Sequence, residues 1–384
     1  MFEFASKPKK VSAGIASVIA LGIIVFFLTP YKAPPTGEIA VVIGNTQNTP
    51  APSISGNISE AIADAMLFHK GEDADTLMES IKFISAVKQP DVIKMRSSDV
   101  KIRKISNNNS NAKRDIRLNL EALEEKINGI KPADNGANYL EAIIEASENI
   151  KKGSTIIVIG SGLSDSGDLN FSKTNILTNE EARDTQIEEI QEKYGHDRLE
   201  GYTIEFFGLG DTAAPQEELS SIQKGIVRDI YKDTVRKLGG ESVITTRTQT
   251  GNPIETIYVV GTTDTGCGDI NLIFDDEDLK FVGDMAIFID SASASKSLST
   301  ISDIWSKQKD TIELIQVDGY TAHYPGAGQL SQDRADTVKK TLVGLGVDAN
   351  KITATGKGYG PYETDAQNRT VKVNISRDNK QCAN

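Results

Sequence analysis

Arg334 is the residue whose type and position most readily suggest chemistry, because it follows a predicted strand end and lies near the start of a predicted helix. The strand end is residues 317–321 (VDGYT), and apolar residues then recur at helical spacing: Leu330, Ala335, Val338, Leu342 and Leu345. Ser331 is a natural N-cap, which puts Arg334 in the first turn, where a cation opposes the helix dipole at about 0.3–1 kcal/mol. That cost is tolerable if Arg334 and the free backbone N–H groups hold an anion together; the alternative is a solvated surface arginine.

The other polar residues suggest no catalytic or metal site. The sequence has no Gly-x-Ser-x-Gly nucleophile motif, and its histidines are far apart in the chain: His69, His196 and His323. Residues 356–360 (GKGYG) lack the spacing of a phosphate-binding loop, and acidic pairs such as Asp275 and Asp276 are interpreted as solvated surface. We therefore predict no enzyme activity, no catalytic residue, no metal and no cofactor.

Length and charge limit the class of protein further. The 384 residues are enough for two domains with full cores. The net charge of −12 argues against binding to nucleic acid phosphates.

Residues 11–29 (VSAGIASVIALGIIVFFLT) form an uncharged apolar run. At about 1.5 Å per residue the run is about 28 Å long, which matches the hydrocarbon core of a bilayer. Lys7, Lys9 and Lys10 precede it, so the positive-inside rule predicts a cytoplasmic N-terminus and an extracytoplasmic remainder. A cleaved signal peptide is the alternative, but the run is long for one and no Ala-x-Ala site follows. We expect a single-pass membrane anchor.

The elements that must position any site alternate between strands and helices over residues 38–250. Such alternation predicts a parallel sheet with helices on both faces. The predicted strands are residues 38–43, 91–105 (one or two strands), 155–159, 202–208 and 242–247. The predicted helices are residues 58–68, 114–127, 139–150, 179–194 and 216–238.

Five short motifs occur in order between residues 279 and 378. They are residues 286–294 as a first strand with a small-residue exit, 319–321 as a strand end, 330–335 as a helix start, 356–361 as a loop, and 368–371 as a last strand. In this order they resemble the OmpA-like domain, the peptidoglycan-binding module of many bacterial envelope proteins. The resemblance implies an α+β domain in which Arg334 binds a peptide-stem carboxylate, with Thr321, Asn368 and Arg369 lining the same cleft.

The sequence departs from this family in ways that bear on binding. The family's Asp after the strand-end Thr pairs with the amino group of a diaminopimelate side chain, and here that position is Ala322. The following loop is shorter than usual, and the second Arg of the Asn-Arg-Arg motif is Thr370. Losing the carboxylate removes a charged hydrogen bond of about 1.5–3 kcal/mol, or about tenfold to a hundredfold in affinity. Asp318 or Asp333 could replace it only if the shorter loop re-aims one of them.

The loops of the preceding α/β segment show a second pattern. The order of the strand ends and the turns that follow them resembles that of a von Willebrand factor A domain. The segments that carry this resemblance are residues 41–48 (VVIGNTQN), 135–137 (NGA), 156–167 and 206–211 (FFGLGD). The metal ligands of that family correspond to Gly44, Ala137 and Ser161, which offer no carboxylate to a hard cation. The resemblance therefore implies a metal-free spacer, scaffold or protein-docking domain.

Together these features predict an α/β chain with several parts. They are a cytoplasmic tail (1–10), a transmembrane helix (11–29), a linker (30–37), a doubly wound parallel-sheet von Willebrand A-like domain (38–250), a connector (251–278), an α+β OmpA-like domain (279–378) and a tail (379–384). Cys267 and Cys382 flank the last domain and could form a disulfide outside the cytoplasm, the alternative being two free thiols.

The expected function is non-covalent binding of peptidoglycan or another cell-wall polymer by a membrane-anchored envelope protein. The alternative is an envelope scaffold whose OmpA-like domain binds a protein partner and has lost wall binding. A role as an ion-driven, flagellar-stator-like subunit is disfavoured, because residues 11–29 contain no ionisable side chain.

Overall fold

A computed structural model describes residues 36–54, 56–245, 248–266 and 268–378 of the chain. The predicted anchor at residues 11–29 and the predicted disulfide partners Cys267 and Cys382 lie outside these residues. Within the described ranges, no helix combines the length and the apolar character needed to cross a bilayer.

The first domain (residues 36–245) is built on a six-stranded sheet with the order β3-β2-β1-β4-β5-β6. Neighbouring strands are parallel, except that β3 runs antiparallel to β2 at one edge. The strands are β1 (Ile39–Ile43), β2 (Ile81–Ser85), β3 (Asp91–Val92), β4 (Thr155–Ile159), β5 (Thr203–Phe207) and β6 (Glu241–Thr245).

Apolar side chains cover both faces of this sheet. Strand β1 is buried along its whole length, as expected for a central strand of a parallel sheet. Val42 and Val158 belong to the core under one face, whereas Val41 and Ile157 belong to the core under the other. The helices are α1 (Asn57–Phe68), α2 (Ala74–Glu79), α3 (Ser97–Val100), α4 (Asn109–Asn128), α5 (Tyr139–Glu148), α6 (Glu180–Tyr194) and α7 (Ser221–Lys237).

This architecture confirms the predicted α/β class with a parallel sheet for the first domain, but the prediction for residues 91–105 holds only in part and one strand was missed. Residues 91–105 contain only the two-residue strand β3, after which the chain turns into the short helix α3. Strand β2 was not predicted, because Lys82 interrupts its apolar residues and leaves no continuous run.

The C-terminal domain (residues 270–377) has a four-stranded sheet with the order β7-β10-β8-β9. Strands β8 and β9 are parallel, and the other neighbours are antiparallel. The elements are β7 (Ile270–Phe274), α8 (Asp276–Leu279), α9 (Ser291–Gln308), β8 (Ile312–Thr321), α10 (Ala327–Gly344), β9 (Ile352–Tyr359), α11 (Asp365–Asn368) and β10 (Val371–Arg377). Leu298 of α9 and Val338 of α10 pack with Val317 of β8 in one core.

The first strand of this sheet does not lie at residues 286–294, so that prediction is wrong. Strand β7 takes the position beside β10, within the segment predicted as a connector. Asp290 instead caps helix α9, since its carboxylate accepts hydrogen bonds from the backbone N–H groups of Ala292 and Ser293.

The prediction that Ser331 is an N-cap is also wrong. Helix α10 begins at Ala327, and Ser331 is buried inside it. The Ser331 hydroxyl donates to the carbonyl of Gly328 at 2.8 Å and accepts from the N–H of Gly358 at 2.9 Å. Arg334 therefore lies in the helix interior, away from the free N–H groups of the first turn.

Candidate functional site

Two glycines bring helix α10 close to the C-terminal sheet. A Cβ atom at Gly319 would lie 2.3 Å from the carbonyl oxygen of Ser331, and one at Gly356 would lie 2.4 Å from the nitrogen of Gln332. No side chain fits at these distances, so the helix rests directly on the backbones of β8 and β9. This packing accounts for the glycines of two sequence motifs and fixes the turns of α10 that carry Arg334.

The guanidinium of Arg334 points into a narrow cleft. The residue is 4% exposed, its Nε donates to the carbonyl of Met285 at 3.3 Å, and its guanidinium carbon lies 4.8 Å from the ring centre of Phe281. The cleft encloses about 10 Å³, and Asp276 and Arg369 form part of its wall. Among the described residues, no carboxylate lies within ion-pair distance of Arg334.

Burial dominates the electrostatics of this arginine. It lowers the pKa of Arg334, while the negative charge of Asp276 opposes the shift and the positive charge of Arg369 adds to it. Arginine nevertheless stays protonated in proteins. A buried cation without a paired acid is unfavourable, so an anionic group that entered the cleft would relieve the cost.

Asp276 and Arg369 form an ion pair beside this cleft, and each side chain is a little over one third exposed. Asp276 is thus not the solvated surface residue that the sequence suggested. Asp276 lies two residues after the end of β7, at the edge of the sheet that also carries the start of β10, but no signal of this was available from the sequence because β7 itself was not predicted. Arg369 is occupied by an internal acid, which leaves Arg334 as the unpaired cation of the cleft.

The other two predicted site residues lie outside this cleft. Thr321 is buried, and its hydroxyl donates to the carbonyl of Ala322 at 3.2 Å. Asn368 clamps a loop, because its side chain accepts from the N–H of Tyr362 and donates to the carbonyl of the same residue, each at 2.9 Å. Both side chains shape the neighbourhood of the cleft without reaching it.

The acids suggested as replacements for the missing family Asp are also directed elsewhere. Asp318 accepts from Gln316 at 3.0 Å and pairs with Lys357 at 3.4 Å. Asp333 accepts from Gln329 at 2.8 Å on the surface of α10. The carboxylates that do line the cleft are Asp275 and Asp276, of which Asp275 pairs with Lys88 and Asp276 with Arg369.

The sheet edge of the first domain contains the three positions that correspond to metal ligands in the resembled domain: Gly44, Ala137 and Ser161. The ring of Tyr139 fills this edge, since a Cβ atom at Gly44 would lie 2.0 Å from the Tyr139 hydroxyl. Within the part of the chain that the structure describes, no cluster of three or more His, Cys, Asp or Glu side chains could hold a metal. Asp165 is buried nearby and accepts from the N–H of Ala137 at 2.7 Å, and burial raises its pKa.

Comparison with known protein families gives one match, in the C-terminal domain. Residues 282–376 match the model of the OmpA family, so the chain carries an OmpA family domain there. No curated protein matches the chain.

Several solved structures are similar to part of the chain. The periplasmic domain of Helicobacter pylori MotB is 19% identical over 29% of this chain and 75% of that chain, with a TM-score of 0.25. The OmpA-like domain of FopA1 from Francisella tularensis is 24% identical over 29% and 78%, with a TM-score of 0.23. The peptidoglycan-associated lipoprotein from Burkholderia pseudomallei is 23% identical over 25% and 86%, with a TM-score of 0.22.

Proposed function

We propose that this chain is a single-pass membrane protein of the cell envelope whose OmpA family domain binds peptidoglycan, or another wall polymer, non-covalently. One observation carries the proposal. Arg334 presents a buried guanidinium to a cleft of this domain and has no ion-pair partner among the described residues. A carboxylate of a wall peptide would supply the missing anion.

In this proposal Arg334 holds the carboxylate through paired N–H donors, the geometry that guanidinium groups favour. Asp276 faces the same cleft and offers its carboxylate to an ammonium group of the peptide, in place of the family Asp that is absent at Ala322. A hydrogen bond to a charged group contributes about 1.5–3 kcal/mol. Loss of Arg334 therefore should weaken binding about tenfold to a hundredfold.

The rest of the chain has supporting roles in the proposal. Residues 11–29 anchor the protein with the N-terminus in the cytoplasm and the bulk of the chain outside. The first domain acts as a metal-free, von Willebrand A-like spacer that also offers a docking surface to a protein partner. Its sheet edge supports the absence of a metal role, because Tyr139 occupies the space that a ligand side chain at Gly44 would need. The protein has no catalytic role.

Sedimentation with purified peptidoglycan sacculi tests the proposal. The full chain should pellet with the sacculi, and Arg334→Ala should reduce its affinity about tenfold to a hundredfold. Arg236→Ala is the control, since Arg236 lies on the first domain with its side chain 67% exposed and pairs only with its neighbour Asp233 within the described residues. If Arg334→Ala binds as tightly as wild type and Arg236→Ala, the proposal is wrong.

A second candidate function is binding of a protein partner by the same domain. The observation that favours it is the narrowness of the cleft, about 10 Å³, together with the engagement of Arg369 by Asp276. Arg334-dependent retention on sacculi freed of protein would contradict this alternative.

A further inference from the structure

Two lysines of the first domain hold the acidic segment that contains Asp276. Lys88 pairs with Asp275, and Lys173 pairs with Asp278 at 2.6 Å. The four side chains are only 18–21% exposed, so solvent screens these pairs weakly. Asp276, which lines the cleft beside Arg334, lies between the two paired acids in the chain.

The charges within this contact support one another. Burial by itself would lower the pKa of Lys88, but the carboxylates of Asp275 and Glu277 outweigh it and raise the pKa. Burial would likewise raise the pKa of Asp275, but Lys88 outweighs it and the pKa is lowered. Both shifts favour the ionised forms, so the pair stabilises the association of the two domains.

The second wall segment of the cleft is also tied to the first domain. Gln367 lies two residues before Arg369, and its side-chain amide donates to the Asp134 carboxylate at 2.9 Å and to the Ala133 carbonyl at 3.1 Å. Thus both segments that supply the Asp276–Arg369 pair are held from outside the C-terminal domain.

The space left for a ligand is much larger between the domains than beside Arg334. A cavity of about 290 Å³ lies between the domains, and Asp275, Asp276 and Thr370 line both this cavity and the cleft beside Arg334. The cleft itself encloses about 10 Å³. A cavity needs about 10–15 Å³ to hold one water molecule, so a carboxylate on a peptide cannot reach Arg334 unless a wall segment moves.

We propose that the first domain is an internal inhibitor of the C-terminal domain, because its contacts at Lys88, Lys173 and Asp134 keep the cleft beside Arg334 closed. An anionic group of the wall then enters only when the two domains separate. This inference rests on the proposed function of Arg334. If the closed arrangement predominates, the apparent dissociation constant is the intrinsic one divided by the open fraction.

The test reverses the two lysines in the full chain, as Lys88→Glu with Lys173→Glu. The new carboxylates face the acids at positions 275 and 278, so the domains should separate. Affinity for sacculi should rise at least about tenfold if less than about a tenth of wild type is open. The matched control is Lys152→Glu with Lys193→Glu, because these exposed lysines pair with Glu200 and Asp168 of their own domain.

Two further variants complete the design. Lys88→Met with Lys173→Met removes the attraction without adding repulsion and should give a smaller gain in affinity for sacculi. This variant keeps the test valid if the reversed variant does not fold. Adding Arg334→Ala to the reversed variant should abolish the gain. Hydrogen exchange at residues 275–279 and 362–370 should be faster in the reversed variant than in its control, which reports separation of the domains independently of binding.

The outcomes distinguish the two proposals. Arg334-dependent binding of wild type with no gain in the reversed or Met variants overturns the internal inhibition and leaves wall binding intact. Weaker binding by the reversed variant, with faster exchange, also overturns it and shows that both domains contribute to the site. Absence of binding in every variant, including one whose domains have separated, overturns wall binding itself.

Discussion

Replacement by methionine should destabilise the two buried arginine sites of the C-terminal domain to very different extents. Arg377 has a 2% exposed side chain that donates to Asp264 at 2.9 Å and to the carbonyl of Gly268. Arg334 is comparably buried, but its hydrogen-bond acceptor is the carbonyl of Met285, at 3.3 Å. The first arginine is therefore part of an internal network, whereas the second bears an uncompensated charge.

The magnitudes follow from these partners. Arg377→Met leaves the half-buried Asp264 without its cation and the carbonyl of Gly268 without its donor, and should lower the free energy of unfolding by about 1.5–3 kcal/mol. Arg334→Met loses one long hydrogen bond, worth about 1 kcal/mol, and a cation–π contact with Phe281, worth about 0.5–2 kcal/mol. It also removes the cost of burying the charge, so the free energy of unfolding should stay within about 1 kcal/mol of wild type or rise.

Urea denaturation followed by tryptophan fluorescence measures both changes. Trp305 is the single tryptophan of the chain and packs against the core of the C-terminal domain, so its signal reports that domain. Sacculus binding should weaken about tenfold to a hundredfold in Arg334→Met although the domain remains folded. If Arg334→Met destabilises the domain as much as Arg377→Met does, Arg334 is a structural residue and the reasoning that assigns it to a ligand is wrong.

Two further predictions concern the packing of α10 and the contact between the domains. Gly319→Ala should lower the free energy of unfolding by about 1–3 kcal/mol, because its Cβ would lie 2.3 Å from the Ser331 carbonyl oxygen. Gly328→Ala is the control and should be close to neutral or stabilising, because open space surrounds Gly328. Equal effects of the two substitutions in urea denaturation would contradict the close packing. Because the pKa of Asp275 is lowered, the stability that its charge contributes is fully present above the usual carboxyl pKa of about 3.9 and is lost as pH falls through the lowered pKa. Because the pKa of Lys88 is raised, the stability that its charge contributes is fully present below about pH 10.4 and is lost as pH rises through the raised pKa. The difference in unfolding free energy between wild type and Lys88→Met should therefore be constant from about pH 5 to 9 and shrink below about pH 4; a change centred near pH 6.5 would show that another group controls the contact.

Local sequence patterns were sufficient to predict those strands and helices whose own residues determine their structure. The apolar strands β1, β4 and β5 and the helix around Tyr139 were predicted because near-continuous apolar runs and helical periodicity reflect burial in a sheet covered on both faces. The same logic fails at residues 286–289, where Ile287 and Ile289 alternate like a strand yet are 59% and 68% exposed. There the position beside β10 is taken by β7, a competition that no local pattern reveals.

The site was predictable only in part for a related reason. Arg334 was identified from its position after the strand-end motif, although the supporting argument from the helix dipole was wrong because α10 begins four residues before Ser331. The role of Asp276 was missed because two consecutive acidic residues after a strand look the same in the sequence whether they are solvated or form ion pairs. Only the approach of Arg369, far away in the chain, gives Asp276 its role.

If a wall ligand binds at Arg334 as proposed, the Asp276–Arg369 pair links that binding and domain association in one equilibrium. Asp276 lines both the cavity between the domains and the cleft beside Arg334, and the two chain segments of the pair are the ones that the first domain holds. A ligand at Arg334 and the contact at Lys88 therefore compete for the positions of the same residues. By thermodynamic linkage, the domain contact weakens ligand binding by the same free energy by which a bound ligand weakens the domain contact. Wall binding would thus favour the separated domains, and a partner that captured the exposed edge of the first domain would in turn strengthen wall binding.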